Sequence, residues 1–370
     1  MEIRKTGSMR AKMIREGTYS QHLEDMYKAR ADSASQPIVD YQDDYYLVNV
    51  ALGTPRQEFD VLVDTGSSNL WVIDAACTTN ACNGDPRGNY TKNKFDSSKS
   101  STFEADTLNF YLNYGSGAVR GRLAVDTFTF GGFNVDRQGF GLTDKFYTEF
   151  GKQPFDGVMG LGWPMLAADN AIPPMQNIVE QLSLPIFMVW FDRKLKPDQG
   201  GIAGQITYGT FDSDNCDMSA VNYVELSTLT YWQFEVDGME IKNYNYKHRD
   251  QGISDTGTSW IGGPTTIIAS IAGQTGARWN IKNSVYEVDC SKQSSLPDLT
   301  ILIGGLPYVI PSVEYVLDIG LEGGKCAITF FDIQTPGFSP QFILGDTFIR
   351  TWCNIYDIGE QRIGFAKAQH

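Results

Sequence analysis

The sequence predicts a mostly β protein with a few short helices, built as two related β lobes around a central cleft. Three observations lead there. Short apolar runs broken by Gly, Asn and Asp recur along the chain. An Asp-Thr-Gly turn at the end of an apolar run occurs twice. Each copy is followed, at a similar distance, by two apolar residues and a glycine. With 370 residues, the chain is long enough for two domains with sizeable cores.

Residues 1–35 stand apart. They carry seven Lys/Arg against five Asp/Glu, leaving 23 and 39 in the remainder. Ser20 is a fair helix N-cap with Glu24 and Asp25 behind it, which predicts a short helix through Met26 and Tyr27. A basic leader on an acidic body predicts a removable segment held partly by charge; the plainer reading is an ordinary flexible N-terminus. After Pro37 the character changes. Tyr45 to Leu52 reads as a strand, Gly53-Thr54-Pro55 as a turn and Met175 to Gln181 as a short helix.

The repeat organises the rest. Phe59-Asp60-Val61-Leu62-Val63-Asp64-Thr65-Gly66-Ser67-Ser68 is echoed by Gly252-Ile253-Ser254-Asp255-Thr256-Gly257-Thr258-Ser259. Val158-Met159-Gly160 follows the first aspartate by 96 residues to its glycine, and Ile343-Leu344-Gly345 follows the second by 90. Equal order at nearly equal spacing predicts that each lobe sets its Asp-Thr-Gly loop beside an apolar-apolar-Gly strand. Both aspartates would then face the cleft between the lobes.

Composition narrows the function. Apolar residues are 42% and charged residues 20%, a soluble balance. No run of 18 apolar residues occurs, so no membrane-spanning helix is predicted. A net charge of −14 disfavours nucleic acid, whose phosphates would be repelled. Met1-Glu2-Ile3-Arg4-Lys5 lacks the apolar core of a signal peptide, which fits either a cytosolic protein or one whose signal has been removed. Six cysteines without a C-x-x-C pair favour the second, as three disulfides made in an oxidising compartment; six buried thiols are the alternative. Asn89-Tyr90-Thr91 is a glycosylation sequon, a pattern that also arises by chance. Histidines occur only at positions 22, 248 and 370. No G-x-S-x-G elbow or H-E-x-x-H is present, so serine, cysteine and zinc hydrolases are disfavoured. A non-catalytic β-sandwich would leave the paired loops unexplained.

The paired loops themselves suit acid–base chemistry. Glycine permits a tight turn with the carboxylate at its tip. Ser67 and Thr258 are short donors placed to hold the outer oxygens of Asp64 and Asp255, and Thr65 and Thr256 would brace the loops against each other. Two carboxylates brought this close share a proton. One can then take a proton from water while the other hydrogen-bonds a carbonyl oxygen. No metal or cofactor is required.

These residues resemble the pepsin/cathepsin D family of aspartic proteases, over about residues 38 to 368. The likeness rests on Asp64-Thr65-Gly66-Ser67-Ser68-Asn69-Leu70-Trp71-Val72, Tyr114-Gly115-Ser116-Gly117 and Phe155-Asp156-Gly157-Val158-Met159-Gly160-Leu161-Gly162. In the second half it rests on Asp255-Thr256-Gly257-Thr258-Ser259, Ile343-Leu344-Gly345-Asp346-Thr347-Phe348-Ile349-Arg350 and the ending Arg362-Ile363-Gly364-Phe365-Ala366. The stretches around Ser254, Trp260 and Trp352 look most like nematode digestive members.

The resemblance implies a bilobal pepsin-like fold and an acid-acting aspartic endopeptidase made as a zymogen, with a catalytically silent peptide-binding member as the alternative. It implies lobes at 36–214 and 215–370, and a propeptide at 1–35 in which Lys28 would plug the site, although the usual Lys-Tyr order is absent. Tyr114 would cap a flap hairpin, its hydroxyl bonded to Trp71. Gly66, Gly257, Gly115, Ser116 and Gly117 would meet the substrate backbone, and Leu62, Phe155 and Tyr231 would line apolar subsites or form plain core. Cys77–Cys82 and Cys290–Cys326 match familiar bridges; a third is missing, which leaves Cys216 with Cys353. The implied partners are polypeptides, including dietary protein such as haemoglobin, and pepstatin-like inhibitors. The implied setting is secreted, gut-luminal or lysosomal, and a monomer is usual for the family.

Overall fold

A computed structural model describes residues 33–41, 45–84, 91–115, 117–168, 171–192, 199–333 and 340–370. The helix expected through Met26 and Tyr27, the expected plug at Lys28, the sequon at Asn89 and the expected flap position Ser116 lie outside them. The chain is mostly β, as the broken apolar runs predict. In the first half the strands are β1 (Ala34–Tyr41), β2 (Tyr45–Leu52), β3 (Gln57–Asp64), β4 (Leu70–Ile73), β5 (Glu104–Tyr114), β6 (Gly117–Phe130), β7 (Phe133–Phe146), β8 (Gly157–Gly160), β9 (Ile186–Phe191), β10 (Gln199–Tyr208) and β11 (Cys216–Glu225). The expected helix near Met175 is present as Pro174–Ile178, running into a 3-10 turn at Val179–Gln181.

The repeat in sequence is a repeat in topology. In the first lobe β3 and β8 run parallel, with Asp64 opposite Gly160, and β4 runs antiparallel to β8 and parallel to β7. In the second lobe Asp250–Ser254 and Phe342–Leu344 run parallel, with Ser254 opposite Leu344. Ile261–Gly263 runs antiparallel to Phe342–Leu344 and parallel to Phe330–Asp332. Each aspartate therefore leaves a central strand on the axis of its own sheet. The two glycines allow the close approach that follows. A Cβ on Gly160 would stand 2.5 Å from the backbone of Ser68 and Asn69, and one on Gly345 would collide with the carbonyls of Thr258 and Trp260.

One 13-stranded sheet joins the halves of the chain. The strand Trp352–Asp357 pairs with β9, with Asn354 opposite Val189, and Arg362–Ala368 lies between it and β11. β1 lies between β10 and β2; Ala34 and Ser35, assigned to the leader by sequence, sit opposite Tyr208 and Thr207. Burial of large aromatics fastens the halves further. Trp232 packs on Trp163 and Tyr356, and its indole N–H donates to the Leu161 carbonyl at 2.9 Å. Disulfides join Cys77 to Cys82, Cys216 to Cys353 and Cys290 to Cys326, pairing all six cysteines. Among the described residues, no helix is long and apolar enough to cross a membrane.

Candidate active site

The two Asp-Thr-Gly loops meet tip to tip. Thr65 and Thr256 hold them together with four bonds. Each threonine N–H donates to the other's hydroxyl oxygen at 3.0 Å. Each hydroxyl then donates onward across the junction, Thr65 to the Ser254 carbonyl at 2.9 Å and Thr256 to the Val63 carbonyl at 2.7 Å. All these groups are buried, so the bonds are made in a medium of low dielectric and leave neither hydroxyl unmatched.

On that base the carboxylates are fixed symmetrically. Asp64 accepts from the Gly66 N–H at 2.9 Å on its inner oxygen and from the Ser67 hydroxyl at 2.5 Å on its outer one. Asp255 accepts from the Gly257 N–H at 2.9 Å and the Thr258 hydroxyl at 2.7 Å in the same arrangement. The side chains are close: a Cβ on Gly66 would lie 2.5 Å from an oxygen of Asp255, and Gly257 stands likewise against Asp64. No residue larger than glycine fits at either position without displacing a carboxylate.

Electrostatics follow from this closeness. Asp64 and Asp255 are 6% and 8% exposed. Burial raises both carboxyls above the ordinary carboxylate range, and the charge of Asp255 raises Asp64 further. The donors Ser67, Gly66, Thr258 and Gly257 oppose that rise only in part. The pair therefore keeps a proton at pH values where isolated carboxyls have lost theirs, and it titrates as a unit.

Around the pair, the Trp71 indole N–H donates to the Tyr114 hydroxyl at 2.9 Å. Tyr114 ends β5 at the turn of the β5–β6 hairpin, close enough to Asp64 for that charge, after burial, to disfavour its phenolate. Gly115 at the turn is exposed, with open space where a side chain would begin. Tyr231 is half-buried and feels both aspartates. Leu62 and Phe155 are 9% and 4% exposed, in one cluster with Trp71, Phe150 and the partly buried Tyr114. Both are packed within this cluster, against which Tyr114 lies.

Sequence reasoning missed a buried polar group beneath the loops. Ser254 donates to Asn354 Oδ1 at 2.7 Å and shares a hydrogen bond with the Tyr356 hydroxyl at 2.8 Å. A signal was present in the repeat, which sets Ser254 against the apolar Val63. It also missed Lys92, whose contacts are to backbone carbonyls and so leave no mark in residue spacing.

The sequence model of the eukaryotic aspartyl protease family matches residues 45–368. Aspartic protease 1 of Caenorhabditis elegans is 52% identical over 371 residues, covering 99% of this chain and 93% of that protein. Cathepsin E of Aquarana catesbeiana is 36% identical over 343 residues, covering 90% and 82%, and pepsin A of Rhinolophus ferrumequinum is 35% identical over 379 residues, covering 98% and 93%.

Proposed function

Because this chain belongs to the eukaryotic aspartyl protease family and is an aspartic-type endopeptidase, we propose that Asp64 and Asp255 are the pair that cuts its polypeptide substrates, acting best in acid. The observation that carries this reading is the symmetric fixing of two buried, mutually close carboxylates on loops gripped by Thr65 and Thr256. The ionised member takes a proton from a water held between them while the protonated member donates to the scissile carbonyl oxygen. Water attack gives a tetrahedral diol. The roles then exchange, and the leaving nitrogen is protonated as the bond breaks. This order of steps is the established pattern of aspartic proteases, in which two close carboxyls share one proton.

The substrate backbone would lie as an added strand against Gly66, Gly257 and the hairpin turn at Gly115–Gly117, covered by Tyr114, with apolar side chains toward Leu62, Phe155 and Tyr231. The basic leader on an acidic body supports synthesis as a zymogen, with Lys28 as the plug. Three disulfides support an oxidising, secreted or lysosomal setting. Glycosylation at Asn89 and a digestive role in a gut lumen complete the reading.

The test is cleavage of acid-unfolded globin from roughly pH 3 to pH 7, with and without a pepstatin-type inhibitor. A bell-shaped profile is expected, falling on the acid side as both carboxyls protonate and toward neutrality as the shared proton leaves. Inhibitor should abolish it. No cleavage at any pH, even with the leader removed, would replace this reading with a silent, peptide-binding one.

Trp71→Phe keeps an apolar ring and removes one donor. Losing the hydrogen bond that holds the Tyr114 hydroxyl should lower kcat/KM by about tenfold, the equivalent of about 1.4 kcal/mol. The thermal midpoint should move little. Unchanged kinetics would show that Tyr114 needs no anchor.

A further inference from the structure

Lys92 reaches from a surface loop into the back of the wall that carries Phe150 and Phe155. Its ammonium donates to the carbonyls of Phe150 at 3.3 Å, Phe155 at 2.5 Å and Gln153. An ammonium has three N–H donors, so all of them are used on one short segment. The same group lies 5.1 Å from the centre of the Phe155 ring. The 3-10 turn Thr148–Lys152 ends with the Gln153 N–H on the Phe150 carbonyl and with Lys152 in its last turn, and Lys92 adds a second positive charge at that carbonyl end.

The next residue extends the brace. Asn93 donates its backbone N–H to Asp156 Oδ1 at 2.8 Å and its amide to Oδ2 at 2.9 Å. Asp156 Oδ2 also accepts from the Asp60 N–H at 3.0 Å, and the Asp156 N–H donates to the Asp60 carbonyl at 2.7 Å. Residues 150–156 are thus tied to β3, the strand that ends on Asp64. They present Phe150 edge-on to Tyr114 at 6.1 Å and Phe155 edge-on to Trp71 at 6.3 Å. Burial pushes the Lys92 ammonium down to about 8, and the Asp156 charge opposes this. Enclosing a charge in this way is costly unless its partners are fixed.

We propose that Lys92 is a positioning residue for specificity: it holds Phe150 against Tyr114 and Phe155 against Trp71, so that a large apolar substrate side chain is accepted beside Tyr114. The proposal rests on the reading of Asp64 and Asp255 as the cutting pair. It is tested with the full chain after acid activation, on two peptides that differ only in Phe or Ala before the cut bond. Lys92→Met keeps the aliphatic stem and removes the donors. Lys92→Arg keeps the charge, and Lys92→Gln keeps part of the donor set should the methionine variant fold poorly.

The parent should prefer Phe. Lys92→Met should lower kcat/KM on the Phe peptide by on the order of tenfold, mostly through KM, and on the Ala peptide by less than about twofold. Lys92→Arg should restore most of the preference, and Lys92→Gln should fall between. Equal losses on both peptides, with only a lower thermal midpoint, would show a merely structural lysine and overturn the proposal. A parent that cleaves both peptides without preference would overturn it too. A parent that cleaves neither, even after acid activation and removal of the leader, would overturn the cutting-pair reading, and this one with it.

Discussion

Asp64→Asn is expected to cut proteolysis by about ten-thousand-fold while making the folded protein more resistant to heat at neutral pH. The amide has the shape of the carboxyl and still accepts from Gly66 N–H, so the loop should hold its form. It cannot take a proton from water or share one with Asp255, so the acid–base exchange stops. The stability effect comes from linkage. Burial raises both carboxyls, and in Asp64 the nearby Asp255 charge adds to it. The folded pair therefore binds protons that the unfolded chain has released. Stability from the pair is full below the ordinary carboxylate range and is lost as pH rises through the raised values. Asparagine removes one ionisation and with it part of that loss. Calorimetric midpoints should nearly coincide for parent and variant near pH 3 and separate by a few degrees in favour of the variant at pH 7. Cleavage above about one percent of the parent would remove Asp64 from the chemistry. An equal midpoint difference at both pH values would refute the raised, coupled pair.

Thr256→Val should destabilise the protein by about 4 kcal/mol, since it leaves two buried backbone groups without partners. Thr256 Oγ1 accepts from the Thr65 N–H and donates to the Val63 carbonyl, in a place closed to water. Valine fills the same space and does neither. The two loops would also lose the bonds that set their spacing, so kcat should fall by on the order of a hundredfold. Thr256→Ser keeps the oxygen and should cost only about 1 kcal/mol for the lost methyl. Urea unfolding and kcat on one peptide measure both effects. A loss under about 1 kcal/mol in the valine variant would mean that other contacts hold the loops.

The fold was legible where symmetry wrote it twice. One Asp-Thr-Gly is an ordinary turn, but the second copy and its trailing glycine predicted that each loop lies beside an apolar-apolar-Gly strand; the structure pairs them in parallel, with Asp64 opposite Gly160 and Ser254 opposite Leu344. Hydroxyl positions one and three residues after each aspartate follow from turn geometry, which is local. The shared 13-stranded sheet was not legible, because pairing of Val189 with Asn354 leaves no local pattern across so long a separation. Lys92 was hidden for a different reason. Any backbone carbonyl can accept from lysine, so its three partners impose no residue type on positions 150, 153 and 155. Leu62 and Phe155 were ambiguous in sequence between lining and core, since both demand apolar residues.

The insertion of Trp352–Asp357 beside β9 bears on how the protein is made. During synthesis β9 leaves the ribosome long before its neighbour exists. At ordinary elongation rates its free edge waits for roughly ten to thirty seconds. An apolar strand with unsatisfied backbone groups is then a template for other nascent chains. Retention of the early half by a chaperone, or crowding on polysomes, would therefore govern yield more than the final stability does. Slower translation between residues 191 and 352 would be expected to raise the aggregated fraction, while leaving the finished enzyme unchanged.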